Sequence, residues 1–345
     1  MDKIIVSKAN HVFLNIQTDA GIEMELADHF CFYVPGYKFM PAYKNRMWDG
    51  KIRLFDVRKK LLYTGLFKYL SEFAASRDYE IEVEDSHHYG RPDITENIDV
   101  PALLDELHLT AGGNKIEARG YQQEAVHHAL SNRQSLLLSP TESGKSLIIY
   151  MAIRYYLSTY DEGNILLIVP TTSLVDIKQR VVISTWQSIY KERAPWFADY
   201  GMVIGDEAHN FKAKSLTAIL EKCCNAKYRI GTTGTLDGTQ THQLVLEGLF
   251  GPVHKVTTTK ALIDSKDLAD LDVSVLLLKY ADEYCKQISK VKYQEEMDFI
   301  VRHDPRNQFI SNLALDQDGN TLILFQYVDK HGKPLHSLLQ TKIQK

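Results

Sequence analysis

Two clusters in this chain have residue types and spacing suited to phosphate chemistry. The first closes the stretch 136–146, LLLSPTESGKS, where an apolar run turns through small residues into Gly144-Lys145-Ser146. A buried strand that turns into a helix start aims backbone N–H groups, a helix N-terminus and one lysine at a common point, which suits a triphosphate. Lys145 is then expected to reach the β- and γ-phosphates, with Thr141 and Gly144 in the same loop and Ser146 ligating Mg²⁺. The second cluster, Asp206-Glu207-Ala208-His209, ends the short apolar run 201–205. A carboxylate at a strand end can hold Mg²⁺, and a second can polarise an attacking water. Asp206 fits the first role and Glu207 the second, so Lys145, Asp206 and Glu207 are the catalytic candidates.

Such clusters need parallel strands to carry them, and the chain has the length for that. Its 345 residues, 44% hydrophobic, allow two or three domains, each with a core, and the expected fold class is α/β. The formal charge of −4 gives no global basic field, so nucleic-acid binding has to come from local patches. Four cysteines without C-x-x-C pairing read as reduced thiols of a cytosolic protein, and the N-terminal sequence has neither an 18-residue apolar run nor a cleavage site. No membrane partner is expected.

Residues 1–85 read as a small α/β module, with strands near 3–6, 12–16 and 51–57 and helices near 22–32 and 66–75. Inside it, residues 36–56 interleave Lys38, Lys44, Arg46, Lys51 and Arg53 with Tyr37, Phe39, Tyr43, Trp48 and Phe55, against only Asp49 and Asp56. Cations for phosphates beside rings for bases are the physics of a nucleic-acid surface. Lys44, Arg46, Trp48, Lys51 and Arg53 are therefore candidate nucleic-acid contacts; the alternative is a loop with inward rings and merely solvated charges. Residues 86–114 read as a polar connector with one short helix, 101–107, and a solvated pair, His87-His88. Residues 115–260 form the nucleotide-binding unit, and 261–345 a linker and the start of another α/β unit, with a helix at 306–315, a strand at 321–325 and a helix from 336.

The pattern Pro140-Thr141-x-x-Gly144-Lys145-Ser146, with Ser139 where the general nucleotide loop has its first glycine, resembles the P-loop of superfamily two helicases and translocases. Asp206–His209 then resembles their DEAH box. Tyr121-Gln122 stands where that family reads the adenine edge, Val169-Pro170-Thr171-Thr172 resembles its motif Ia, and Thr185-Trp186-Gln187 resembles a second strand-contacting motif. Gly231-Thr232-Thr233-Gly234-Thr235 matches the Ser-Ala-Thr type of motif III, whose small hydroxyl residues link nucleotide to DNA, with Thr233, Gly234 and Thr235 as the coupling candidates. Together with WDGKIRL, TTGTLDG and GPVHKVTT, these stretches make nearly the whole chain resemble the UvsW-type helicases of large tailed bacteriophages. The resemblance implies a RecA-like parallel-sheet domain, a partial second one and a small N-terminal α/β module. It implies ATP and Mg as cofactors, with Gln122 and His209 on the nucleotide side. Thr171, Thr172, Thr185, Trp186 and Gln187 would lie on the DNA side. It also implies branched, single-stranded or double-stranded DNA as substrate, in the cytoplasm of an infected bacterial host and beside phage recombination or single-strand-binding proteins.

Two features depart from the pattern. Glu142 puts a carboxylate in the phosphate loop, where a small neutral residue is expected, so it has to point to solvent or weaken nucleotide binding. Between Thr172 and Val181 only about 12 Å of helix would fit, whereas a parallel crossover usually takes about a dozen residues or more. Chain missing from the sequence or a real deletion is expected there. No Q-x-x-G-R-x-x-R motif precedes Lys345, so the polypeptide is expected to hold one complete ATP-binding face and part of the other. The rival functions are the motor subunit of a restriction-type system and a truncated, non-hydrolysing DNA-binding regulator.

Overall fold

The computed structural model describes residues 2–84, 98–170, 180–212, 214–236 and 238–343. The chain divides into Met1–Asp270 and Leu271–Lys345. His87, His88, Thr171 and Thr172 lie outside the described residues.

The N-terminal module opens with β1 (Lys3–Lys8) and β2 (Phe13–Gln17), where alternate burial sends Ile4, Val6, Leu14 and Ile16 inward. Helix α1 (Ala20–His29) starts where Asp19 accepts from the Gly21 and Ile22 amides. It stops earlier than the periodicity predicts, because Phe32 belongs to β3 (Cys31–Tyr33), which pairs antiparallel with β4 (Lys51–Arg53). Between them lie a 3₁₀ turn (Tyr37–Phe39) and α2 (Pro41–Lys44). The strand predicted over 51–57 is broken at Leu54, which is buried, and resumes as β5 (Phe55–Asp56) in the main sheet with β6 (Leu61–Tyr63). A 3₁₀ turn (Thr64–Leu66), α3 (Phe67–Ala75) and β7 (Glu80–Val83) complete the module; its sheet order is β5-β6-β2-β1-β7.

After α4 (Val100–Leu107) and the short hairpin β8 (Thr110–Ala111) and β9 (Asn114–Lys115), the nucleotide-binding unit begins with α5 (Gly120–Asn132). Its strands are β10 (Gln134–Leu138), β11 (Asn164–Val169), β12 (Val181–Thr185), β13 (Tyr200–Gly205), β14 (Tyr228–Thr233) and β15 (Val253–Lys255). All pair in parallel, in the order β12-β11-β13-β14-β10-β15. The strands at the centre are near-continuous buried runs, as a sheet covered on both faces requires. The covering helices are α6 (Lys145–Thr159), α7 (Trp186–Ile189), α8 (Ala194–Phe197), α9 (Lys214–Lys222), α10 (Gln240–Phe250) and α11 (Thr259–Asp264). Of the motif Thr185-Trp186-Gln187, Thr185 ends β12 and Trp186 and Gln187 open the helical turn α7. Strands β11 and β12 are direct parallel neighbours, Ile165 beside Val181 and Val169 beside Thr185. The expectation of missing chain falls on their connection, most of which lies outside the described residues.

The N-terminal module and this unit share one core, in which Leu66, Phe67 and Leu70 join Leu244, Val245 and Leu249. Arg229, fully buried, donates to the carbonyls of Leu220, Cys223 and Leu249, so one guanidinium closes the C-terminal ends of α9 and α10.

Residues from Leu271 onward carry α12 (Asp282–Ile288), α13 (Tyr293–Arg302), α14 (Asp304–Leu315), a π-turn (Val328–Gly332) and α15 (Lys333–Ile343). Helices fall where 306–315 and 336 onward predict them. The strand expected over 321–325 does not form among the described residues. Its residues 322–325 are a continuous apolar run, yet Leu322 and Leu324 are exposed and no neighbouring strand among the described residues pairs with them; a lone strand has no partner for its backbone groups.

Candidate nucleotide site and nucleic-acid surface

The loops after β10, β13 and β14 meet at the carboxyl edge of the sheet, where open parallel sheets hold their ligands. After β10 the chain is knitted by two buried serines: the Ser139 hydroxyl donates to Ser143 Oγ at 2.5 Å, since that of Ser143 is spent on the Pro140 carbonyl at 2.6 Å. Gly144, at φ 79°, then turns the chain into α6. A β-carbon there would lie 2.3 Å from Gln122 Nε2, so glycine is required both by conformation and by space. Ser139 N–H donates to the Thr233 carbonyl at 2.8 Å, which locks the phosphate loop to the end of β14.

Lys145 Nζ lies 3.2 Å from Glu207 Oε1 and is largely enclosed. Glu207 adopts φ 50°, a left-handed conformation that costs a non-glycine residue roughly 1–2 kcal/mol and turns its carboxylate to the phosphate loop. Its other oxygen lies 3.3 Å from His209 Nδ1, which is also 3.1 Å from Thr233 Oγ1. The Thr233 hydroxyl donates to the Thr235 carbonyl at 2.9 Å, so His209 Nδ1 must carry the proton that faces Thr233. A β-carbon built on Gly234 would stand 3.5 Å from Lys145 Nζ. The structure thus brings Lys145, Asp206, Glu207, His209, Thr233, Gly234 and Thr235 to one place, with Thr141 and Ser146 exposed on the same loop.

Gln122 is placed differently from the sequence-based expectation. Its Oε1 accepts from Arg119 N–H at 2.9 Å and its Nε2 donates to the Ser143 carbonyl at 2.9 Å, with 4% of the residue exposed. The amide braces the phosphate loop from beneath. Tyr121 donates to the same Ser143 carbonyl at 3.1 Å, and Arg119 links Tyr121 to Asp267 through contacts of 2.8 and 2.9 Å. Periodicity could not find these braces, because they depend on which turn sits above α5.

The residues present suit MgATP: an N–H-rich turn into a helix, a lysine whose partner is displaceable, and Asp206 with Oδ1 tied by two donors. Glu142, at φ 67°, is exposed at the rim of the loop. Glu142→Gly is therefore expected to tighten nucleotide binding several-fold at low salt, and less as salt screens the lost charge. Titration of ADP at two ionic strengths checks this, and equal affinities at low salt would place the carboxylate outside the field of the phosphates.

Comparison with known proteins accords with this geometry. Residues 3–84 match the family described as DNA helicase UvsW, N-terminal; residues 119–191 match DEAD/DEAH box helicase; residues 176–238 match type III restriction enzyme, res subunit. The ATP-dependent DNA helicase uvsW of Enterobacteria phage T4 is 32% identical over 375 residues, covering 97% of this chain and 73% of that protein. The chain belongs to the UvsW family of DNA helicases. Two crystal structures of T4 UvsW resemble it: one at 31% identity and TM-score 0.64 covers 73% of this chain and 99% of that one. The other, at 28% and 0.66, covers 99% of this chain and 73% of that one. An alignment of 375 positions against 345 residues leaves at least 30 positions without a counterpart here.

In the UvsW N-terminal module, Lys38, Tyr43, Lys44, Arg46, Met47, Trp48 and Asp49 line an open groove. Lys44 and Arg46 are exposed, whereas Arg53 is spent on Asp49, whose carboxyl it holds down to about 2. Lys51 lies 4.9 Å over the Tyr33 ring. Trp48 is half-buried and its Nε1 donates to the Lys51 carbonyl at 2.9 Å, so it anchors the turn. Tyr37 stacks on Tyr33 and meets Tyr43 edge-on, while Phe39 and Met47 are the most exposed of the apolar side chains around the groove. Thr185 lies 3.1 Å from Ser188, with Trp186 half-buried and Gln187 exposed at the edge strand. Among the described residues no helix is long and apolar enough to cross a membrane.

Proposed function

We infer that the chain is an ATP-dependent DNA helicase or translocase of branched DNA such as forks, D-loops and four-way junctions. The observation that carries this is the meeting of Lys145 and Glu207 at 3.2 Å, in a chain whose residues 3–84 match the UvsW N-terminal family. Lys145 exchanges the Glu207 carboxylate for phosphate oxygens, which frees Glu207 to orient water and accept its proton. Ser146 and Asp206 would hold Mg²⁺, which would supply neutralisation of phosphate charge when bound. His209 and Thr233 link Glu207 to Gly234 and Thr235, a route by which the nucleotide state reaches the DNA side at Thr171, Thr172, Thr185, Trp186 and Gln187. The match to the restriction-enzyme family covers only residues 176–238, the motor motifs common to both classes. The host cytoplasm and phage recombination or single-strand-binding proteins are the setting and partners this reading implies.

The groove of the N-terminal module takes the duplex arms. Neutralising Lys38, Lys44 and Arg46 together is expected to lower the slope of log affinity against log salt by up to about three units, about 0.9 per phosphate contact. Arg53→Gln should leave the slope almost unchanged, because Asp49 already balances that charge. Fork binding at three salt concentrations measures both, and an unaltered slope in the triple variant would remove the groove from the DNA path.

A further inference from the structure

We propose that Thr232, one residue outside the triplet Thr233-Gly234-Thr235, is a positioning residue that orients Asp206 toward the nucleotide-bound metal. Parallel pairing of β13 and β14 sets Gly205 beside Gly231, so the next residue pair is Asp206 and Thr232. Thr232 is fully buried and its hydroxyl donates to Asp206 Oδ1 at 2.8 Å. The Glu207 N–H donates to the same oxygen at 3.0 Å, and Asp206 N–H donates to the Ile168 carbonyl at 2.9 Å. Both side-chain bonds therefore fall on one carboxylate oxygen. The group cannot rotate without losing them, and Oδ2 is the oxygen left for a cation. Successive side chains of a strand face opposite ways, so Thr233 serves His209 and the Thr235 carbonyl while Thr232 serves Asp206.

The hydroxyl is the part that matters. Valine fills almost the same volume and suits a strand, yet it leaves Oδ1 with one donor, where Thr232 itself excludes water. Partners that orient a metal-binding carboxylate are worth about 10–100-fold in metal affinity when removed. The proposal rests on the reading that Asp206 holds Mg²⁺, and the experiment separates the two.

A fluorescent ADP is titrated into the full chain in EDTA and over a range of Mg²⁺ concentrations. For Thr232→Val the Mg²⁺ needed for half of the metal-linked gain in affinity should rise about 10–100-fold, with affinity in EDTA unchanged. Thr232→Ser, which keeps the hydroxyl, should restore the parent behaviour. If Thr232→Val matches the parent while Asp206→Asn loses the Mg²⁺ dependence, the positioning role is overturned and the metal reading stands. If Asp206→Asn keeps the parent Mg²⁺ dependence, the metal reading fails, and the proposal with it. Equal loss of affinity with and without Mg²⁺ in Thr232→Val, accompanied by a lower melting temperature, would make Thr232 structural and overturn the proposal.

Discussion

Lys145→Ala is expected to cut ADP and ATP affinity about 100-fold, while Glu207→Gln binds ATP a few-fold more tightly than the parent and hydrolyses it about 10²–10⁴-fold more slowly. The two changes act on opposite ends of one 3.2 Å contact. Without Lys145 the loop loses the charge that meets the phosphates in the ground state. On the proposed reading Glu207 contributes only as water is activated, so its loss should leave binding intact. The modest gain in affinity has a separate cause. In the free site Lys145 is held by Glu207, and a neutral glutamine no longer competes with phosphate; a partly screened ion pair of this kind is worth up to about 1 kcal/mol. Calorimetric titration and single-turnover hydrolysis read the two effects independently. Parent-like turnover in Glu207→Gln would remove it as the base, and weaker binding would show that the pair does not compete with nucleotide.

The parts of this site that were legible in the sequence are those whose chemistry is carried by neighbours in the chain. Gly144-Lys145-Ser146 and Asp206-Glu207 advertise a turn into a helix and a strand end, and apolar runs such as 165–169 announce buried parallel strands. What escaped depends on residues far apart in sequence. Gln122 carries an amide of the right kind in the right order, but nothing local shows that the turn Ser143-Gly144 lies on top of it. Trp48 and Arg53 count as a ring and a cation in any tally of a basic loop. Folding spends one on the Lys51 carbonyl and the other on Asp49, while Phe39 and Met47 are left outward. The strand over 321–325 fails for the converse reason: its pattern is present without a partner among the described residues. Thr232 is legible as one hydroxyl of the stretch Gly231–Thr235, but its partner Asp206, like the carbonyls that Arg229 meets, is given only by the register of β14 against β13 and by the ends of α9 and α10.

Gly65→Ala is expected to be the most damaging single methyl group in the chain, because it sits where the N-terminal module meets the motor. The 3₁₀ turn Thr64–Leu66 lies against α10 so closely that a β-carbon on Gly65 would fall 1.8 Å from the Glu247 carbonyl oxygen and 3.0 Å from that of Gly248. Both atoms belong to a helix backbone and cannot rotate aside, so one surface has to lift from the other. The neighbouring contacts would lift with it. Tyr63 donates to Glu221 at 2.5 Å, His11 N–H donates to the Cys224 carbonyl at 3.1 Å, and Gln134 Nε2 donates to the His11 carbonyl at 2.9 Å. Burial, with Lys8, Arg229, Lys227 and Arg133 adding to it, holds the His11 imidazole down to about 3, which fits a joint built without room for an extra charge. Overpacking of this kind costs about 1–3 kcal/mol, a drop of several degrees in melting temperature for a unit of this size. Gly36→Ala is the control: at φ 70° with open space around it, alanine meets only backbone strain of roughly 1–2 kcal/mol, away from the joint. Nucleotide affinity should survive both changes, since neither residue approaches the phosphate loop, whereas amide exchange in α10 should quicken only in Gly65→Ala. A Gly65→Ala chain that melts with the parent and keeps the slow exchange of α10 would mean that the module is not seated on the motor in solution.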